Sequence, residues 1–143
     1  MSQGDVDFVT EVLGPFLELG EFDVKQAVRN ESLFARLGEF LDPDASITFS
    51  GPGDMVGPFR GVEGFVAGWR EWIAPWEEYR VVTEKLVDAG EGKVLLLALN
   101  TGRLEGGGEI SQESAAIYSL AGDKVTAIDH YLDRDEARRA LES

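Results

Sequence analysis

Apolar residues recur three and four apart over residues 5–19 (Val6, Phe8, Val9, Val12, Leu13, Phe16, Leu17), which predicts an amphipathic helix divided near Gly14-Pro15. The same spacing over residues 23–41 (Val24, Ala27, Val28, Leu33, Phe34, Leu37, Phe40, Leu41) predicts more helix, broken into two short pieces at Asn30 or Ser32. Leu41-Asp42-Pro43-Asp44 reads as a turn, because Pro43 fixes φ and the flanking Asp side chains accept local hydrogen bonds. Strict alternation over 45–50, with Ile47 and Phe49 against Ser46 and Thr48, predicts a strand. Residues 51–61 hold four Gly and two Pro and read as a loop. In the predicted helix over 62–76, Phe65, Trp69, Trp72, Ile73 and Trp76 lie on one stripe. Four strands follow, over 79–87, 93–103, 110–120 and 125–132, joined by Gly-containing hairpin turns at 89–92, 105–108 and 121–124. A short helix over 133–141 closes the chain.

Helices, a strand, a helix and then an antiparallel meander predict one α+β domain over residues 1–143, with helices against one face of a curved sheet. Charge narrows the partners: 13 Lys+Arg against 27 Asp+Glu give a net −14, the wrong sign for nucleic acid or an anionic membrane surface. No run approaches the roughly 18–20 apolar residues of a membrane span, and the N-terminus lacks a basic, then apolar, leader, so the expected compartment is the cytoplasm. Without Cys and with one His, neither a thiolate nucleophile nor a zinc site is expected. No phosphate-cradling loop or carboxylate metal loop stands out, so neither cofactor nor metal is predicted.

Four segments, LDPDASI (41–47), GPFRGVEGFVAGW (57–69), EKLVDAGEGKVLLL (84–97) and GDKVTAIDHYLDRDEA (122–137), together resemble the SnoaL-like branch of the nuclear transport factor 2-like superfamily. The resemblance covers roughly residues 40–141 and implies a cone: a strongly bent antiparallel sheet wrapped around helices, with an apolar pocket at its open end. It also implies a homodimer through the outer sheet face, where Tyr118 and Tyr131 would be interface aromatics. It does not give an activity, since the family spans isomerases, cyclases, hydrolases, dehydratases and non-catalytic binders. The epoxide hydrolase pattern is incomplete: its catalytic Asp falls at His130, and its Arg and second Asp fall near Ala98 and Asn100. The steroid isomerase pattern also fails, with Phe49 where the carboxylate base would be and Ala115 near the position of the oxyanion-stabilising Asp.

His130, the only imidazole, is the leading candidate for moving a proton near neutrality. Asn100 can orient a carbonyl or a water. Glu113 is a candidate base if it faces inward among Leu97, Leu99, Ile117 and Ile128, where desolvation would raise its pKa; facing outward it is one surface acid among many. Trp69, Phe49, Phe59, Ile128 and Ile117 are the expected ligand-binding residues, with residues 51–59 as a flap over the pocket mouth. Three functions stay open. One is cofactor-free acid–base catalysis on a small hydrophobic compound, and the second is non-catalytic binding of such a compound. The third is a dimer whose cone is filled by side chains, favoured where no cavity of roughly 300 Å3 exists.

Overall fold

Gly14 does divide the first helical stretch, into α1 (Ser2–Val12) and α2 (Gly14–Glu18). The second also falls into two pieces, α3 (Val24–Ala27) and α4 (Glu31–Phe40), preceded by a two-residue strand β1 (Phe22–Asp23). Asp23 caps α3 by accepting from the Lys25 backbone N–H at 2.9 Å. The computed structural model describes residues 2–18, 20–29, 31–51 and 54–142; the side chains of 2, 3, 15, 18, 22, 31–34, 36, 51, 54 and 55 fall outside that description, as does the expected break at Asn30.

The remaining elements are β2 (Leu41–Gly51), β3 (Asp54–Arg60), α5 (Gly61–Ile73), β4 (Glu78–Gly90), β5 (Lys93–Arg103), β6 (Glu109–Ala121), β7 (Lys124–Tyr131) and α6 (Arg134–Glu142). They form one curved, open sheet in the order β1-β4-β5-β6-β7-β2-β3, antiparallel throughout except where β2 runs parallel to β7. Two expectations are corrected. The 41–44 turn is part of β2: a register shift between Leu41 and Ser46 absorbs Pro43 as a bulge instead of ending the pairing. The 51–61 loop is mostly β3, which pairs antiparallel with β2. As the edge strand, β3 tolerates Gly57 and Pro58, since it needs ladder bonds on one side only.

The register fixes which side chains enter the cone. Val94, Leu96, Ala98 and Asn100 of β5, Ser114, Ala116 and Tyr118 of β6, Ile128 and His130 of β7, and Ile47 and Phe49 of β2 share the concave face. α5 lies against it through Phe65, Trp69, Trp72 and Ile73, while Trp76, expected in the same helix, follows its end and packs over Gly102; Val9, Val12 and Leu13 complete the core. Each large apolar side chain buried there stabilises by about 1.5–3 kcal/mol. Gly68 allows the close approach of α5, since a Cβ at that position would meet the Phe49 and Phe59 rings. The convex face is covered as well: Ala137 and Leu141 of α6 pack on Leu95, Leu97, Ala115, Ile117 and Tyr131. Among the described residues, no helix is long and apolar enough to cross a membrane.

Candidate functional site

The β2–β7 register places Phe49 directly beside His130. The two rings stack with centroids 4.3 Å apart and 8° between planes. Trp69 meets the imidazole edge-on at 5.2 Å, and Phe65 tilts against it at 6.1 Å. Trp72 stacks on the Phe49 ring at 5.5 Å. The aromatic stripe of α5 and the lone His are thus one cluster.

His130 Nδ1 lies 3.1 Å from the Thr48 carbonyl oxygen. A carbonyl only accepts, so the hydrogen bond places the proton on Nδ1 and leaves Nε2 with its lone pair. Nε2 has no hydrogen-bond partner among the described residues, and His130 lines a cavity between the sheet and the helices. Burial pushes the imidazole down to about 4, with the Thr48 hydrogen bond pulling the other way. At neutral pH the group is therefore an uncharged acceptor.

The cavity has a volume of about 100 Å3. Its helical wall includes Leu13, Phe16, Leu17 and Val24, and α5 adds Phe65, Trp69 and Trp72. Phe49, Asn100, Ser114, Tyr118 and His130 are among its sheet residues. This is well below the roughly 300 Å3 at which drug-sized sites begin, because Phe49 and the tryptophans occupy much of the cone. Its scale is nearer that of the ~150 Å3 cavities that take a single benzene ring. A second, shallower cleft of about 330 Å3 adjoins it and shares Trp72, Asn100 and Leu132 with it.

Between the two spaces runs a chain of hydrogen bonds. Ser114 Oγ donates to Asn100 Oδ1 at 2.8 Å, and Asn100 Nδ2 donates to the Tyr79 hydroxyl at 2.9 Å. Burial raises the Tyr79 phenol, while hydrogen bonds from Trp72 and Asn100 oppose that rise. Asn100 is 6 % exposed with both ends of its amide engaged, so its first role is to hold this partition together.

Of the expected acid–base residues, the fold brings His130 and Asn100 to the cavity and leaves Glu113 outside it. The Glu113 side chain is 69 % exposed and pairs with Arg134 at 3.3 Å. Arg134 also donates to Glu84 at 2.6 Å and to the carbonyls of Ser114 and Ala98, both at 3.0 Å, so it ties the start of α6 to three strands. Of the expected ligand-binding residues, Trp69 and Phe49 line the cavity. Phe59 packs edge-on against Phe49 at 6.2 Å, Ile128 is fully buried in the core, and Ile117 faces α6 on the convex side. Of the expected flap over 51–59, residues 54–59 pair as strand β3 against β2 and residues 56–59 line neither space; residues 52–53 and the side chains of 51, 54 and 55 are outside the description. Tyr118, expected on the outer face, points the other way and is 3 % exposed within the core.

The SnoaL-like domain pattern matches residues 26–128, and the chain belongs to the SnoaL-like family. No curated protein matches it. Among solved structures, it is similar to TerC co-crystallised with polyporic acid (10 % identity, TM-score 0.62, covering 97 % of this chain and 98 % of that one). It is also similar to a nuclear transport factor 2-like protein of unknown function from Burkholderia pseudomallei K96243 (14 % identity, TM-score 0.64, covering 100 % of both chains). A third is a protein of ketosteroid isomerase-like fold from Catenulispora acidiphila DSM 44928 in complex with trimethylamine (18 % identity, TM-score 0.55, covering 68 % of this chain and 73 % of that one). At these identities the likeness shows the fold.

Proposed function

We propose that the protein is a small-molecule pocket protein whose occupant is a neutral, largely apolar compound of one-ring size that donates a hydrogen bond to His130. The supporting observation is that Nε2, in a ring otherwise enclosed by Phe49, Phe65 and Trp69, has no partner among the described residues. The cone cavity falls below the roughly 300 Å3 of a drug-sized site, which by itself favours a cone filled by side chains, but such a cone would satisfy its buried polar atoms, as more than nine in ten are satisfied in folded proteins. The small volume and the uncharged imidazole favour a neutral ligand, as does the net charge of −14. Two proteins of similar fold were crystallised with small molecules, polyporic acid and trimethylamine, which supports a small-molecule role for this fold.

The test uses p-cresol against toluene, which differ by one hydroxyl, with binding measured by calorimetry. Wild type binds p-cresol more tightly, and His130→Leu weakens p-cresol about fivefold while leaving toluene unchanged, the size expected of one neutral hydrogen bond. Equal binding of both by wild type, or an unaffected p-cresol in His130→Leu, overturns the proposal.

Acid–base catalysis is the second reading, favoured by the Nδ1–Thr48 hydrogen bond, which orients the imidazole with its basic nitrogen toward the occupant. It predicts exchange of the α-protons of cyclohexanone with deuterium from solvent, slowed at least about 100-fold in His130→Gln. An identical exchange rate in that variant removes His130 from any such step.

A further inference from the structure

Tyr118 is a second polar group of the cavity that the reading above does not use. It is 3 % exposed, lines the cavity, and its hydroxyl has no hydrogen-bond partner among the described residues. An unpartnered phenol costs about 1–3 kcal/mol when kept from water, so its place among the cavity-lining residues points to an occupant that satisfies it. Burial pushes this phenol well above its ordinary value, so it keeps its proton and acts as a donor.

Tyr118 and His130 are diagonal neighbours across the β6–β7 ladder: Tyr118 pairs with Ile128, and His130 pairs with Ala116. Diagonal positions on one sheet face have backbones about 7–8 Å apart, so both side chains serve the same cavity. Among the described residues, the acceptor at one and the donor at the other are both unmatched.

We infer that Tyr118 is a specificity-determining ligand residue, donating to an acceptor on the occupant while His130 Nε2 accepts from a donor at the occupant's other end. The ligand class is thereby narrowed to neutral single-ring compounds carrying a hydroxyl and, across the ring, a carbonyl or ether oxygen. This rests on the pocket reading above, and its test separates the two.

The probes are 4-hydroxybenzaldehyde and p-cresol at pH 6, where both phenols are un-ionised; they share the hydroxyl and differ in the oxygen across the ring. Wild type binds the aldehyde more tightly than the cresol. Tyr118→Phe weakens the aldehyde about fivefold and leaves the cresol within about twofold, which also reports an intact fold. His130→Leu weakens both probes alike. If cresol binds and responds to His130→Leu but Tyr118→Phe leaves the aldehyde unchanged, a water satisfies the phenol and the inference falls while the pocket reading stands. If neither probe binds wild type, both fall together.

Discussion

Acidification isolates His130, because the protein has one imidazole and the fold has changed its affinity for a proton. The unfolded chain takes up that proton near the ordinary value of 6.5, whereas the native state resists until about 4. Between these values the unfolded state binds more protons, so stability is lost as pH falls. The loss attributable to this group is nil above about pH 7, about 2 kcal/mol at pH 5 and about 3 kcal/mol at pH 4. The raw curve also contains the 27 acidic groups, whose mutual repulsion eases in acid. His130→Gln removes only the titration and keeps a donor for the Thr48 carbonyl. Urea unfolding of both proteins, followed by tryptophan fluorescence at constant ionic strength from pH 4 to 8, gives the difference directly. That difference should shrink in the variant's favour by about 3 kcal/mol from pH 7 to 4. A gap that stays constant across the range would show that the imidazole is not desolvated in the native state and would refute the reasoning.

Arg134→Ala should destabilise the fold by about 1–3 kcal/mol, because it strips charged donors from the Ser114 and Ala98 carbonyls, whereas Glu113→Ala should cost under ~1 kcal/mol as half of a solvent-exposed pair. Neither change should alter p-cresol affinity; a Glu113→Ala variant that lost binding would return that residue to the site. Asn100→Ala should cost about 2 kcal/mol in urea unfolding by leaving the Tyr79 and Ser114 hydroxyls without their shared partner, and a neutral outcome would mean that water replaces the amide.

Much of this architecture was legible from periodicity: both divided helical stretches, the tryptophan stripe of α5 and the three hairpins of the meander follow the sequence pattern closely. The facing of the strands was not, for two reasons. Because α6 covers the convex side, β5 is apolar at both parities: Leu95 and Leu97 face α6, while Val94 and Leu96 face the core, so alternation carries no sign of which side is inside. The second reason is one bulge. The β6–β7 pairing steps from Leu120↔Val125 to Ser119↔Ala127, passing over Thr126, whose hydroxyl donates to the Ser119 carbonyl at 3.2 Å. An unbulged hairpin would put Glu113 inside and Tyr118 outside; the extra residue exchanges them. That single step turns a suspected base into a partner of Arg134 and an expected interface aromatic into a wall of the cavity. The facing of His130 was equally open in the sequence, and it is the parallel pairing of β7 with β2, not read from the sequence, that fixes it beside Phe49.

The most direct measurement is nitrogen-15 NMR of the one imidazole, with and without p-cresol. Expected are a neutral ring at pH 7 with the proton on Nδ1, a bare Nε2, and a saturable shift of the Nε2 resonance as p-cresol is added. A ring protonated on Nε2, or an Nε2 signal indifferent to p-cresol, would contradict it.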